Sequence, residues 1–206
     1  MRVRPRIARL VEIRHVCVLL LLVATGCGGG SAPLPSSPPG LPALHLSSPA
    51  FTEGGTIPKA FTCNGADKSP PLQWSGIPKA ARSLVLICDD PDAPAGTWSH
   101  WVVFNLPPDV TSLEEGIAAE LTAAPEPRPA VKQALRTTMQ GKNDFGKIGY
   151  GGPCPPSGTH RYVFRLYALD RGLDVPAGAN RALVLKAIEG HVLAEGKLTA
   201  KYTRGS

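Results

Sequence analysis

The chain has 206 residues, of which 43% are hydrophobic and 18% charged, and this is the size and make-up of one globular domain with additional segments. Its 22 glycines and 22 prolines are too few for a wholly disordered chain, and its charged fraction is too low for a solvated acidic or basic tail protein. The net charge of +6 would favour a nucleic-acid partner only if it belonged to the folded domain.

The first 26 residues have the pattern of an export signal. Arginines at positions 2, 4, 6, 9 and 14 precede an apolar run over residues 16–24, which is too short to span a bilayer. Residues 23–27 (VATGC) resemble the processing box of bacterial lipoproteins, in which the cysteine becomes the lipid-carrying N-terminus. We therefore predict a signal peptide over residues 1–26, lipidation of Cys27 and a lipid-anchored place in the cell envelope, on the periplasmic or extracellular side. Ordinary secretion and an uncleaved N-terminal anchor are the alternatives.

Removal of this signal would leave a nearly neutral protein. It would delete five arginines and one glutamate, so that 17 basic and 15 acidic residues remain. This balance does not support a dedicated nucleic-acid surface, and we expect no nucleic-acid partner. Residues 27–43, mostly Gly, Ser, Pro and Ala, predict a flexible tether. Residues 44–206 predict one domain, large enough to bury a core without metals or disulfides.

Four segments of this domain are typical of β-strands. Ser83–Cys88 is a continuous apolar run of the kind buried on both faces of a sheet, and Trp98–Asn105 is a second strand. In His160–Leu169, alternation places the residues at positions 160, 162, 164 and 166 on one face. Gly196–Arg204 predicts a final strand.

The clearest helix is predicted over Ala177–Ala194. Asn180 can cap its N-terminus and Gly190 can end it. Residues 109–141 are interrupted by prolines and are interpreted as a long surface excursion, in which Glu114–Ala124 has a helical pattern.

Two acidic residues and a histidine surround the first turn between these strands. In an extended chain, Asp90 and Asp92 point to the same side, and the prolines beside them stiffen the strand exit. A turn with solvated carboxylates is the alternative. By strand alternation, His100 shares a face with Trp98, Val102 and Phe104. A histidine in such a place is more often a packed core residue than a ligand.

Residues 149–162 form a loop rich in glycine and proline that ends on the His160 and Tyr162 strand face. Its glycines allow a close approach of the backbone, and oriented N–H groups can bind an anion. Pro155 and Pro156 would form a stiff wall. A plain surface loop is the alternative.

Ordered sequence blocks extend this pattern over residues 57–204. They are Phe61–Gly65, Ser69–Trp74, Asp90–Pro94, His100–Trp101, Asn143–Gly146, Gly151–Pro156 and His160–Tyr162. Together they resemble the phosphatidylethanolamine-binding proteins, in the bacterial branch called Raf-kinase-inhibitor-like. The resemblance implies a mainly β fold of two antiparallel β-sheets with a few peripheral helices. Few residues follow Tyr202, so we expect no counterpart of the C-terminal helix that closes the pocket in eukaryotic members.

The resemblance also implies one small pocket that binds phosphate, phosphorylated head groups or other small anions, and it allows a kinase or protease partner. Carried over position by position, the lining would be Asp90, Asp92, His100, Pro155, Pro156, His160 and Tyr162. We expect the imidazoles, loop N–H groups and the Tyr162 hydroxyl to donate to the ligand, while the acids orient the histidines. A protonated His100 or His160 next to Asp90 would have a raised pKa. Binding should then weaken as the histidine loses its proton.

Three other functions stay open. A hydrolase would use the Asp, His and Tyr groups or Ser157 with His160, although the chain has no Gly-x-Ser-x-Gly motif. A metal site would use Asp90, Asp92, His100 and His160, although the chain has no HExxH or CxxC spacing. In the third alternative function, the pocket no longer binds a ligand and the outer surface of the domain binds a protein partner. We expect a binding protein with no enzymatic activity, no metal and no cofactor.

The cysteines leave one question open. Cys17 would leave with the signal and Cys27 would carry lipid, so Cys63, Cys88 and Cys154 would remain. Cys88 lies in an apolar strand and is predicted to be a buried thiol. Cys63 and Cys154 lie in loops of neighbouring family motifs, and an exported location permits either a disulfide or two free thiols.

Overall fold

The computed structural model describes residues 43–123, 135 and 137–204. In chain order its strands are β1 (His45–Ser47), β2 (Leu72–Ser75), β3 (Ser83–Asp90), β4 (Trp98–Leu106), β5 (Ser112–Leu113), β6 (Met139–Gln140), β7 (Thr159–Leu169) and β8 (Val192–Thr203). The helices are α1 (Ile117–Ala123) and α2 (Arg181–Ile188), and a 3-10 turn covers Lys59–Phe61. One antiparallel sheet has the strand order β1-β2-β5 and the other has the order β6-β4-β3-β7-β8. The predicted fold of two antiparallel sheets with few helices is confirmed.

Strand β3 lies at the centre of the larger sheet, between β4 and β7, and all its residues are buried. Leu84, Leu86 and Cys88 face a core shared with the smaller sheet. Val85 and Ile87 face a second core that is covered by α2. A central strand covered on both faces needs apolar side chains at successive positions, and this explains the continuous apolar run in the sequence.

The predicted helix near the C-terminus is shorter than its pattern suggested. Asn180 caps α2 as predicted, because its Oδ1 accepts a hydrogen bond from the Leu183 N–H at 2.9 Å. Gly190 adopts a φ of 77° just after the helix and lets the chain turn back. The prediction that the helix reaches Ala194 is wrong, because β8 already begins at Val192 and pairs with β7.

The region predicted as a surface excursion contributes to the core. Strands β5 and β6 and helix α1 lie within residues 109–141, and α1 falls in the segment with a helical pattern. Ile117 and Ala118 of α1 are buried in the core below the smaller sheet. Gln140 of β6 is buried too, where it accepts a hydrogen bond from the Trp101 indole at 2.8 Å.

The predicted signal peptide, the tether and Cys27 lie outside the described residues. Residues 124–134, 136 and 205–206 are outside them as well. Within the part of the chain that the structure describes, no helix has the length and apolar character needed to cross a membrane.

Candidate functional site

A cavity of about 320 Å³ lies where β3 ends and where β4 and β7 begin. Antiparallel pairing brings these three strand ends to one edge of the sheet, together with the loop before β7. The cavity is lined by Asp90, Ala93, Pro94, Ala95, Trp98, His100, Phe145, Cys154, Pro156 and His160. Asp90, His100, Pro156 and His160 were predicted to line one pocket, and they lie together here.

The Asp90 and His160 side chains form a hydrogen-bonded pair in this cavity. Asp90 Oδ2 and His160 Nδ1 are 2.7 Å apart, and the two side chains are only 5% and 10% exposed. Asp90 Oδ1 accepts a second hydrogen bond from the Asp92 N–H at 2.8 Å. Because the Nδ1 proton is held by the carboxylate, Nε2 is the ring nitrogen of His160 that is left for a ligand.

The register of β4 against β3 shifts by one residue at His100. Cys88 pairs with Trp101, but the next pair along the strands is Asp89 with Ser99. His100 is therefore an extra residue in β4, which makes it part of a β-bulge. The residues on either side of a bulge no longer follow one alternation.

This bulge turns His100 towards the cavity. Its ring meets the Tyr162 ring edge-on, with the centroids 5.1 Å apart. Val102 and Phe104 belong to the opposite core, below α2. The predicted common face of His100 with Val102 and Phe104 is therefore wrong, whereas His100 and Trp98 do share the cavity. Alternation alone could not reveal this, because a bulge depends on the pairing partner.

His100 is bonded to the glycine-rich loop and not to Asp90. Its Nδ1 lies 2.6 Å from the Gly151 carbonyl oxygen, and the Gly151 N–H donates to the His100 carbonyl at 2.9 Å. Burial disfavours the charged ring and lowers the pKa of His100. The prediction of a raised pKa is wrong for His100, because the ring is desolvated and has no direct carboxylate partner.

Asp92 does not line the cavity. Its carboxylate accepts hydrogen bonds from Arg161 Nε at 2.9 Å and Nη2 at 2.6 Å, and also from the Arg161 N–H at 2.9 Å. These bonds lower the pKa of Asp92 to about 2. The expectation that Asp90 and Asp92 point to the same side is wrong, since the chain already turns at residues 91–92.

Two other predicted residues support the site without lining the cavity. Pro155 is buried next to Pro156, which does line it. Tyr162 is fully buried below His100, and no partner in hydrogen-bond geometry reaches its hydroxyl from the described residues. Burial, with Asp90 nearby, raises the pKa of Tyr162 well above its ordinary value. The predicted role of this hydroxyl as a direct ligand donor therefore stays a prediction.

Sequence reasoning missed the aromatic side of the cavity. The Phe145 ring is 42% exposed and meets the Trp98 ring at 5.5 Å and the His100 ring at 5.2 Å. Asp144, the neighbour of Phe145 in the chain, attaches this segment to β4. Its Oδ2 accepts a hydrogen bond from the Ser99 N–H at 2.6 Å. The block Asn143–Gly146 was a signal for this, but its residues suggest no chemistry by themselves.

The glycine-rich loop is attached to the chain around the 3-10 turn. Of the two states that the sequence left open, the structure has the disulfide between Cys63 and Cys154, with Cα atoms 5.5 Å apart. The Cys63 N–H also donates to the Pro153 carbonyl at 3.2 Å. Cys88 is a free, buried thiol as predicted, and burial raises its pKa.

The metal and hydrolase alternatives gain no support from this geometry. In residues 43–123, 135 and 137–204, no three His, Cys, Asp or Glu side chains are grouped to hold a metal ion. Asp92 binds Arg161, so the four proposed ligands are not brought together. Ser157 is exposed, and within the same residues no hydrogen bond joins it to His160.

The chain is similar to known proteins over nearly the whole described domain. The family model of the phosphatidylethanolamine-binding proteins matches residues 47–203. A UPF0098 protein of Methanothermobacter thermautotrophicus is 52% identical over 162 residues, which cover 79% of this chain and 100% of that protein. A UPF0098 protein of Pyrococcus horikoshii is 41% identical over 204 residues, which cover 98% of this chain and 93% of that protein.

Two solved structures share the fold. A phosphatidylethanolamine-binding protein homolog of Chlamydia trachomatis is 40% identical, with a TM-score of 0.67, over 79% of this chain and 99% of that one. Escherichia coli YbcL, described as a new member of the mammalian family, is 30% identical, with a TM-score of 0.69 and the same coverage. The resemblance carried by the sequence blocks is thereby confirmed, and this chain belongs to the phosphatidylethanolamine-binding protein family.

Proposed function

We propose that this protein is an exported, lipid-anchored binding protein whose cavity takes a small phosphate-type anion. The observation that carries the proposal is the buried pair of Asp90 and His160, whose Nδ1 and Oδ2 atoms are 2.7 Å apart. A protonated His160 beside this carboxylate donates its Nε2–H to an anion through a charge-assisted hydrogen bond. The neutral ring has no such proton.

The dimensions and the walls of the cavity support a small ligand. A volume of about 320 Å³ is at the lower end for ligand pockets. Trp98, Phe145 and Pro94 provide an apolar side next to the polar pair, which suits the carbon atoms attached to a charged group. Asp90 offsets the charge of a protonated His160, so we expect modest affinity and strong dependence on that one proton.

Calorimetric titration with inorganic phosphate and phosphoethanolamine tests the anion site. We expect tighter binding at pH about 5.5 than at pH about 8.5, because the proposed donor is an imidazolium and not a neutral imidazole. His160→Ala should abolish binding. His191→Ala is the matched control, because His191 pairs its Nδ1 with Asp170 at 3.0 Å in the same way but outside the cavity. Equal affinity at both pH values, or full binding by His160→Ala, would contradict the proposal.

The anchor and the partner are tested separately. Cys27→Ser should move the full chain from the membrane fraction to the soluble fraction, and an unchanged distribution would exclude lipidation at Cys27. A kinase or protease partner that uses the cavity should be lost with His160→Ala, whereas a partner bound to the outer surface should be retained.

A further inference from the structure

One peptide group connects a buried histidine of the cavity to a carboxylate outside it. His100 Nδ1 lies 2.6 Å from the Gly151 carbonyl oxygen. The Gly152 N–H donates to Asp67 Oδ1 at 2.7 Å. The Gly151 C=O and the Gly152 N–H belong to the same peptide unit, so Asp67 and His100 are bonded to its two ends.

The glycines are needed for this close arrangement. A Cβ at Gly152 would lie 2.5 Å from Asp67 Oδ1 and 2.6 Å from the Phe61 carbonyl oxygen. A Cβ at Gly151 would lie 2.6 Å from the Phe145 ring. Asp67 itself has a φ of 53°, a conformation that is uncommon for residues other than glycine. The local backbone is therefore shaped for this hydrogen-bond chain.

The series of hydrogen bonds from Asp67 through the Gly151–Gly152 peptide group determines which nitrogen of His100 carries the proton. A carbonyl oxygen only accepts, so Nδ1 must donate to Gly151. The Asp67 carboxylate polarises the peptide group and strengthens its carbonyl as an acceptor. Burial lowers the pKa of His100, so a second proton on Nε2 is disfavoured. His100 Nε2 is then a lone-pair acceptor.

The two histidines consequently offer a ligand opposite chemistry. Both rings line the cavity, and in each ring it is Nδ1 that makes the short hydrogen bond, to the Gly151 carbonyl from His100 and to Asp90 from His160. His160 donates its Nε2–H when it is protonated beside Asp90, whereas His100 accepts. A complementary anion has to bring acceptors and one donor of its own.

We propose that the cavity selects anions that carry their own proton, such as a singly protonated phosphate monoester. Its P–OH donates to His100 Nε2 while another of its oxygens accepts from His160. This inference rests on the anion site proposed above and adds the protonation state of the ligand. A sulfate monoester has the same shape but no proton, so it would place an unprotonated oxygen against the His100 lone pair.

The test compares methyl phosphate with methyl sulfate by calorimetric titration of the full chain. It is made at pH about 5.5, below the second phosphate pKa of about 6, where the phosphate monoester keeps one proton. We expect methyl phosphate to bind at least about tenfold more tightly, which is the effect of one well-made hydrogen bond in a buried site. Equal binding of the two anions overturns this inference and leaves the anion site standing. Binding of neither overturns the anion site as well.

The variant His100→Asn sharpens the test. The asparagine amide can still donate to the Gly151 carbonyl, but it has no acceptor at the position of Nε2. We expect it to bind the two anions with equal affinity, while His191→Asn keeps the wild-type ratio. A wild-type ratio in a folded His100→Asn protein overturns the inference. Thermal melting shows whether the variant is folded, and if it is not, the comparison of the two anions on the wild-type protein decides alone.

Discussion

Two carboxylates only two residues apart have different partners and different roles. Asp90 bonds His160 inside the cavity, whereas Asp92 forms two side-chain hydrogen bonds with Arg161 outside it. The sequence motif placed all three residues in one pocket; Asp90 and His160 do line the cavity, and Asp92 does not. The reason is physical, since a turn at residues 91–92 rotates the second carboxylate away, and an extended-strand pattern does not contain that rotation.

The pair of Asp92 and Arg161 should stabilise the fold in a pH-dependent way. The bonds from Arg161 hold the pKa of Asp92 at about 2 in the folded protein, below its ordinary value of 3.8. Its contribution is therefore present above pH about 4 and is lost as the pH falls towards about 2. Because the two side chains are 29% and 56% exposed, we expect Asp92→Asn to lower the Tm at pH 7 by only about 2–4 °C.

Thermal melts at pH 7 and pH 3 measure this effect. The difference between Asp92→Asn and wild type should shrink at pH 3. Asp174→Asn, at an exposed carboxylate for which the described residues form no ion pair, is the matched control and should melt like wild type. A difference that grows towards acid pH would exclude this role of Asp92.

At the scale of elements, β4 and α2 determine which side chains lie on each face of the larger sheet. The bulge at His100 turns this residue to the cavity face, while Val102 and Phe104 further along β4 pack below α2. On that second face, Arg181 Nε of α2 lies 3.0 Å from both carboxylate oxygens of Asp89. The sequence predicted α2 and its cap, but it suggested no contact between Arg181 and Asp89, which are 92 positions apart.

Arg181→Met should destabilise the protein by about 3–5 kcal/mol, because it leaves the buried Asp89 without this cation. Burial already raises the pKa of Asp89 to about 6, and Arg181 lowers it, so the pKa should rise further in the variant. The unfolded chain loses this proton near its ordinary pKa of 3.8, before the folded one does. The free energy of unfolding therefore falls as the pH rises from about 4 through about 6.

Urea unfolding at pH 5 and pH 8 tests this pair. The free energy of unfolding of Arg181→Met should drop more between these pH values than that of wild type. Arg171→Met, at an exposed arginine, controls for the loss of a positive charge. Wild-type stability of Arg181→Met at pH 8 would show that the ion pair does not matter for folding.

At the scale of the whole molecule, the cavity is assembled from distant parts of the chain. The Cys63–Cys154 disulfide joins residues 91 positions apart, and Cys154 lines the cavity. The same loop is held by the Tyr150 hydroxyl, which donates to the Phe61 carbonyl at 2.7 Å. The disulfide and these hydrogen bonds attach the glycine-rich wall to the segment around the 3-10 turn.

Loss of the disulfide should reduce the stability of the whole domain. We expect the double variant Cys63→Ser/Cys154→Ser to be destabilised by about 2–5 kcal/mol, mainly because a long loop is no longer closed in the unfolded chain. Chemical unfolding with and without reductant measures it. Reductant should destabilise wild type by breaking the Cys63–Cys154 disulfide. It should leave the variant unchanged, because the variant has no such bond and Cys88 is a free thiol in both proteins. A variant as stable as oxidised wild type would contradict this.

Local patterns in the sequence determined the family, the two-sheet fold that it implies and the central strand. Apolar runs, capping residues and ordered motif blocks are properties of neighbouring residues, so one chain suffices to recognise them. Only the tertiary structure decided the bulge at His100, the partner of Asp92, the disulfide and the series of hydrogen bonds that links Asp67 to His100. Each of these depends on which distant backbone or side chain comes within hydrogen-bond or covalent reach, and that distance exists only after the strands have paired.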